Sequence, residues 1–189
     1  MLQGNRKSSQ VGQMDELVER YGTTGFMYTE YPHKSFWDKS FNDKDYRSAL
    51  AIEMGSHQNN SSLLYVHLPY CQELCWFCTC HVAITNSYDK VIQYMEFLYK
   101  EIDLLTYIFQ NNPKQPTFTE IHLGGGSPTF LKEAEFDTLI ERLKKLVDID
   151  SLQEFSIEID PRRVDRKRMV YYHKKGINRI SFGIQDFDL

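Results

Sequence analysis

The chain has 189 residues, of which 41% are hydrophobic and 25% charged, with 10 Gly and 6 Pro. That is enough for one domain with a sizeable core, and it excludes a wholly disordered, collagenous or mucin-like chain. Acidic residues outnumber basic ones, 26 to 22, for a formal charge of -4, which disfavours a nucleic-acid coat or a polybasic membrane anchor. Met1 to Gln10 is polar and lacks the apolar core of a secretory signal, and no stretch approaches the ~18 apolar residues that cross a bilayer. The expected setting is cytoplasmic, with neither a membrane nor a nucleic-acid partner.

Residues 1–62 read as an N-terminal arm with short helices, and 63–189 as one α/β domain. Met14–Tyr21 forms a short helix stopped by Gly22. Thr23–Lys39 is aromatic without a period, and Tyr28, Tyr31, Phe36 and Trp37 are expected to attach the arm. Asp43 caps a helix over Lys44–Met54, and Gly55 to Ser62 is a polar linker. Leu63–Leu68 is an apolar strand closed by Pro69, and a cysteine-containing loop follows to about His81. A helix over Tyr88–Phe109 carries an apolar stripe of Val91, Tyr94, Met95, Leu98, Ile102 and Leu105. Thr119–Leu123 is a second strand, followed by a turn at Gly124-Gly125-Gly126-Ser127-Pro128. Glu133–Leu146 is a helix with Phe136, Leu139, Ile140 and Leu143 facing inward. Phe155–Ile159 is a third strand, Asp165–Lys175 a short helix ended by Gly176, and Arg179–Ile184 a fourth strand.

Crossovers of this length demand parallel strands covered by helices. Functional groups then gather beyond the C-terminal ends of the strands. The cysteines follow the first strand, the glycines the second, Glu158 lies near the end of the third, and Gln185 follows the fourth. The four cysteines lie within ten residues, spaced Cys71-x-x-x-Cys75-x-x-Cys78-x-Cys80. A disulfide framework distributes its staples, whereas this is a soft-ligand set in a reducing compartment. Three close thiolates can hold three corners of a cubic cluster. A structural zinc needs a fourth ligand, which Cys80, His81, His122 or His173 could provide, so both metals stay open on spacing alone.

The CxxxCxxC motif after the first strand resembles the radical S-adenosylmethionine superfamily. Within it, Leu64-Tyr65-Val66-His67-Leu68-Pro69-Tyr70-Cys71, then Cys75-Trp76-Phe77-Cys78-Thr79-Cys80, is similar to the oxygen-independent coproporphyrinogen III oxidase family. His122-Leu123-Gly124-Gly125-Gly126-Ser127-Pro128-Thr129, Ile157-Glu158-Ile159-Asp160-Pro161 and Gly183-Ile184-Gln185-Asp186-Phe187 extend the likeness, as do Tyr28-Thr29 and Tyr31-Pro32 in the arm. The resemblance implies an incomplete parallel (β/α) partial TIM-type barrel with about four of six strands present. It implies one 4Fe-4S cluster on Cys71, Cys75 and Cys78, whose open iron takes S-adenosylmethionine. Cleavage of that molecule yields a deoxyadenosyl radical, which starts the decarboxylation of two propionates of coproporphyrinogen III to vinyls, giving protoporphyrinogen IX for haem.

Family members hold two S-adenosylmethionine molecules. The matching positions are Tyr65, Gly125 and Glu158 for the first, and Phe77, Gly126, Ser127 and Gln185 for the second. The glycines are expected to admit a cofactor and to offer it their N–H groups. Cys80 is retained by the resemblance as an active-site residue outside the cluster. An electron donor is implied, and a monomer in the full-length form. Arg162, Arg163, Arg166, Lys167 and Arg168 form the densest basic run, read chiefly as a solvated helix face.

Two departures stand out. Met27 occupies a position where the family carries arginine, and a thioether cannot fork to a carboxylate. Family members are also much longer, so the chain is read as a truncated portion, weakly active or inactive alone, with inner apolar positions Ile180, Phe182 and Ile184 left uncovered. A haem chaperone-like paralogue of the same superfamily is the alternative, and a zinc-stabilised structural module is a further one.

Overall fold

In the computed structural model, the described residues are Glu16, Glu19, Arg20 and residues 36–56, 61–78 and 80–185. The chain divides into two units, Met1–Arg47 and Ser48–Leu189. In the first, Glu16, Glu19 and Arg20 are helical, and Phe36 and Trp37 are exposed. Tyr28, Tyr31, Met27 and most of the expected Met14–Tyr21 helix lie outside the described residues. Helix α1 spans Asp43–Ser56. Its cap is Asn42 rather than Asp43: Asn42 Oδ1 accepts the Lys44 N–H at 2.9 Å, while Asp45 accepts the Asn42 N–H at 3.0 Å. This reciprocal pair satisfies two donors of the first turn, as a capping box does.

In the second unit, strand β1 spans Ser61–Leu68 and the short strands β2 and β3 span Tyr70–Cys71 and Ala83–Ile84. Helix α2 spans Tyr88–Gln110, β4 Thr117–Gly125, α3 Glu133–Leu146, β5 Glu154–Ile159, α4 Arg166–Lys174 and β6 Arg179–Phe182. Strands β1, β4, β5 and β6 form one parallel sheet in that order, and β2 pairs with β3. The polar residues Ser61 and Ser62 belong to β1 rather than to a linker, because they pair with Thr117 and Phe118 across a register shift. Among the described residues, no helix is long and apolar enough to cross a membrane.

Period-two alternation sorts the sheet into two faces. Val66, Leu68, Ile121, Leu123, Phe155 and Ile157 are buried against Val91, Met95, Leu98 and Ile102 of α2, the four expected residues of α3, and Tyr172 of α4. Asp165 caps α4 by accepting the Arg168 N–H at 2.7 Å, and Gly176, at φ +98°, ends the turn that follows it. Arg168 does not lie on a solvated face. Its guanidinium reaches Tyr172 Oη at 2.9 Å and the Leu131 carbonyl, so it ties α4 to the segment before α3.

The opposite face carries Tyr65 and His67 from β1, Glu120 and His122 from β4, Glu154, Ser156 and Glu158 from β5, and Arg179 and Ser181 from β6. The register lines up Tyr65, His122, Ser156 and Arg179 in one row. This corrects the expectation of an apolar inner face. Ile180 pairs with Ile157 and Phe182 with Ile159, so both belong to the helix side, and β6 ends before Ile184.

Candidate active site

The cysteine loop starts where β1 ends. Its two ends are tied together by the β2–β3 pair: the Ala83 N–H donates to Pro69 O at 2.7 Å and the Thr85 N–H to Cys71 O at 2.9 Å. This closure was not evident in the sequence, although Ala83-Ile84-Thr85 carries the β-branched residues that favour it. Cys71 is thereby fixed beside the sheet, and the Cys78 N–H donates to Cys75 O at 3.0 Å, turning the loop back on itself. The four described thiols are free.

The three expected ligand cysteines and Cys80 line a cavity of about 850 Å³ beyond the C-terminal ends of the strands. Phe77, Gly125, Gly126, Ser127, Glu158 and Gln185 line the same cavity. Tyr65 alone among the expected site residues is not on its wall. It stands on the open sheet face, with its hydroxyl 3.0 Å from His67 Nδ1 and its ring stacked on His122 at 5.7 Å. Phe77 is well exposed and Trp76 almost fully so.

The glycines are not a free turn. Gly124 and Gly125 end β4, and Gly125 has φ +115°, a region that favours glycine. The Gly126 N–H donates to Leu68 O at 2.8 Å, the Ser127 N–H to Tyr70 O at 3.1 Å, and the Gly125 N–H to Glu158 Oε2 at 3.0 Å. These amides are therefore already engaged, which corrects the expectation that they are offered to a ligand. The close backbone approach is real: a Cβ on Gly126 would lie 2.6 Å from Pro69 O. The glycine run lets the cysteine loop lie against the end of β4.

Asp160, Arg162 and Arg163 also line the cavity, a cluster the basic run did not reveal. Arg162 forks to Asp160 with bonds of 2.9 and 2.8 Å, and Arg163 Nε lies 3.4 Å from it. The hydrogen bond from Arg162 holds the Asp160 carboxyl below its ordinary range. Burial pushes the Cys71 thiol up, and the neighbouring Cys78, Asp160 and Cys80 push it further, with Arg163 opposing. Cys80 is raised by burial and by Cys78 and Glu158. Tyr65 is raised by burial, then by Glu158 and Cys80.

Residues 65–188 match the model of the radical SAM superfamily. The chain belongs to that superfamily. An oxygen-independent coproporphyrinogen III oxidase of Helicobacter pylori (strain J99) is 34% identical over 175 residues, covering 92% of this chain and 38% of that protein. The one from Mannheimia haemolytica is 34% identical over 145 residues, covering 77% of this chain and 94% of it. The solved structure of coproporphyrinogen III oxidase (HemN) from Escherichia coli, a radical SAM enzyme, superposes with a TM-score of 0.72 at 30% identity, covering 92% of this chain and 37% of that one. By these matches the chain falls among the oxygen-independent coproporphyrinogen III oxidases of the superfamily. It spans between 36% and 38% of the length of the longer relatives.

Membership implies a 4Fe-4S cluster and S-adenosylmethionine, and the donor set fits both. Thiolates are the ligands of such clusters. Burial and then the neighbouring Cys78 oppose ionisation of the Cys71 thiol, and a bound cation would favour its thiolate. Among the described residues, no three Cys, His, Asp or Glu side chains converge on a single-ion site. The cavity is also of the size that takes a small organic cofactor.

Proposed function

We propose that this chain forms the cluster- and cofactor-binding part of an oxygen-independent coproporphyrinogen III oxidase. Cys71, Cys75 and Cys78 are the cluster ligands. Tyr65, Gly125 and Glu158 contact the cluster-bound S-adenosylmethionine, and Phe77, Gly126, Ser127 and Gln185 a second molecule. The cofactors, when bound and supplied with an electron, generate the radical that removes a hydrogen atom from a propionate side chain. Each propionate radical would then lose carbon dioxide and pass one further electron to an external one-electron acceptor, leaving a vinyl group. The observation that carries this reading is the shared cavity: three free thiols of one loop and the carboxylate of Glu158 open onto the same space.

The protein's own part is orientation. The β2–β3 tie fixes Cys71, and the Gly126 approach seats the loop against β4. Glu158 presents a carboxylate able to accept from the amino or hydroxyl groups of a ligand. Phe77 lines the cavity and offers an aromatic face to a bound ligand. Cys80 stands on the active-site wall outside the cluster ligands, its ionisation opposed by burial and by Cys78.

Anaerobic reconstitution tests the assignment. The expected outcome is close to four irons and four sulfides per chain, lost on replacing Cys71, Cys75 or Cys78 by Ser and largely retained in Cys80→Ser. Stoichiometric zinc without sulfide overturns it. In the full-length protein, conversion of coproporphyrinogen III to protoporphyrinogen IX is expected to disappear with the cluster.

A further inference from the structure

Glu158 does not stand alone on the open face of the sheet. Its Oε1 lies 3.3 Å from His122 Nε2, and its Oε2 accepts the Gly125 N–H at 3.0 Å. His122 Nδ1 lies 2.7 Å from Ser156 Oγ, which in turn reaches Ile121 O at 3.3 Å. The Tyr65 ring lies nearly parallel to the imidazole, at 13°. Gly124 makes the room: a Cβ there would sit 2.9 Å from His122 Nε2 and 3.0 Å from the Tyr65 ring. His122 is therefore packed on one side, hydrogen-bonded at both nitrogens, and given its space by a glycine.

The hydrogen-bonding logic fixes which way the ring acts. A carboxylate only accepts, so Nε2 carries the hydrogen that faces Glu158. In a neutral imidazole, Nδ1 then accepts from the Ser156 hydroxyl. In an imidazolium, Nδ1 donates to Ser156 and that hydroxyl turns to the Ile121 carbonyl. Both protonation states keep the Nε2–H on Glu158. Each carboxylate oxygen thus accepts from one N–H of β4, and its remaining lone pairs are left for a ligand.

We infer that His122 is a positioning residue: it fixes the rotamer in which Glu158 meets S-adenosylmethionine. The inference rests on the assignment of Glu158 as a contact to that cofactor. Preorganising a group in its bound geometry removes part of the ordering cost of binding. His122 is not among the residues that line the cavity, and of the two side chains it touches on the cofactor side, Glu158 and Tyr65, only Glu158 lines it.

The test uses anaerobically reconstituted holoprotein and S-adenosylmethionine itself, reading the change in the electron paramagnetic spectrum of the reduced cluster as the cofactor is titrated. His122→Ala is expected to raise the half-saturating concentration about five-fold, the worth of one ordinary hydrogen bond. Iron and sulfide content should stay at the wild-type level. His122→Gln, whose amide can still donate to Glu158, should recover to within about two-fold. Ser156→Ala, which removes the partner of Nδ1, gives a smaller shift in the same direction and serves where His122→Ala folds poorly. The decisive comparison is Glu158→Ala with and without His122→Ala: the double variant should be no weaker than Glu158→Ala alone. Additive losses, or an unchanged half-saturation in His122→Ala, overturn the positioning role. An unchanged half-saturation in Glu158→Ala instead overturns the assignment of Glu158, and the inference falls with it.

Discussion

One sheet has two faces that obey opposite rules. Toward the helices, Ile121, Leu123 and Ile157 are completely excluded from solvent, and their neighbours in α3 are equally dry. Toward the other side, the same strands present Tyr65, His67, His122, Ser156 and Glu158, each engaged in polar or aromatic contacts and most of them partly open. A strand residue changes its role with every step along the chain. Apolar burial is concentrated on one side of the backbone and polar side chains on the other, and the two meet at the strand ends where the cysteine loop sits.

Ile157 and Glu158, adjacent in sequence and opposite in face, give the widest predicted separation. Ile157→Ala should cost about 2–5 kcal/mol, because it leaves a cavity in a core that cannot collapse around it. Glu158→Ala should cost about 1 kcal/mol or less, the loss of hydrogen bonds to Gly125 and His122. Chemical denaturation followed by circular dichroism measures both. Equal costs would break the division between the faces.

Two glycines sharpen it further. Gly126→Ala should cost about 1–3 kcal/mol, since its Cβ would press into the Pro69 carbonyl, a backbone atom that cannot turn aside. It should also lower iron content on reconstitution by displacing the cysteine loop. Gly176→Ala meets two side-chain carbons, Ile149 Cγ2 at 3.0 Å and Phe155 Cδ1 at 3.6 Å, but is strained by its φ of +98°. That substitution should cost about 1 kcal/mol and leave iron content unchanged. Loss of iron in the second variant, or full loading in the first, would show that the loop is seated by something other than the end of β4.

What could be read from the sequence followed from local periodicity. The inward residues of α3 are all buried, because an apolar stripe at helical spacing has only one way to face a sheet. Glu158 differs in face from Ile157 and Ile159 as alternation requires. Periodicity does not say which face of a strand meets the helices. The sequence alone puts Ile180 and Phe182 on the inner side, and only their register with Ile157 and Ile159 places them on the other. The sequence alone offers His122 as a distant zinc ligand. Its pairing opposite Tyr65 and Ser156 depends on three strands being in register, a long-range fact that no single motif contains. The engaged amides are similar, since Gly126 and Ser127 donate to the Leu68 and Tyr70 carbonyls far earlier in the chain and Gly125 to Glu158 far later.

The smallest expected effect lies at the rim, where Asp160 pairs with Arg162 and Arg163. The Arg162 hydrogen bond depresses the folded-state pKa of Asp160. The folded chain therefore binds that proton less readily than the unfolded chain, whose carboxyl titrates near ~3.9. The pair's contribution is fully present above that unfolded value and is lost as pH falls through the folded one. Arg162 is 66% exposed, so solvent screens the pair and its contribution stays below about 1 kcal/mol. Asp137, lowered by its hydrogen bonds to Lys175 and Tyr171, adds an acid dependence of the same sign from the helix side. Asp160→Asn should thus flatten, without abolishing, the fall in stability between about pH 5 and pH 2, and added salt should shrink the difference from wild type. Denaturation midpoints across that range measure it. Superimposable acid curves would mean that the Asp160 cluster organises the cavity wall without any net hold on the folded state, and would confine the stability of this molecule more strictly to the helix side of its sheet.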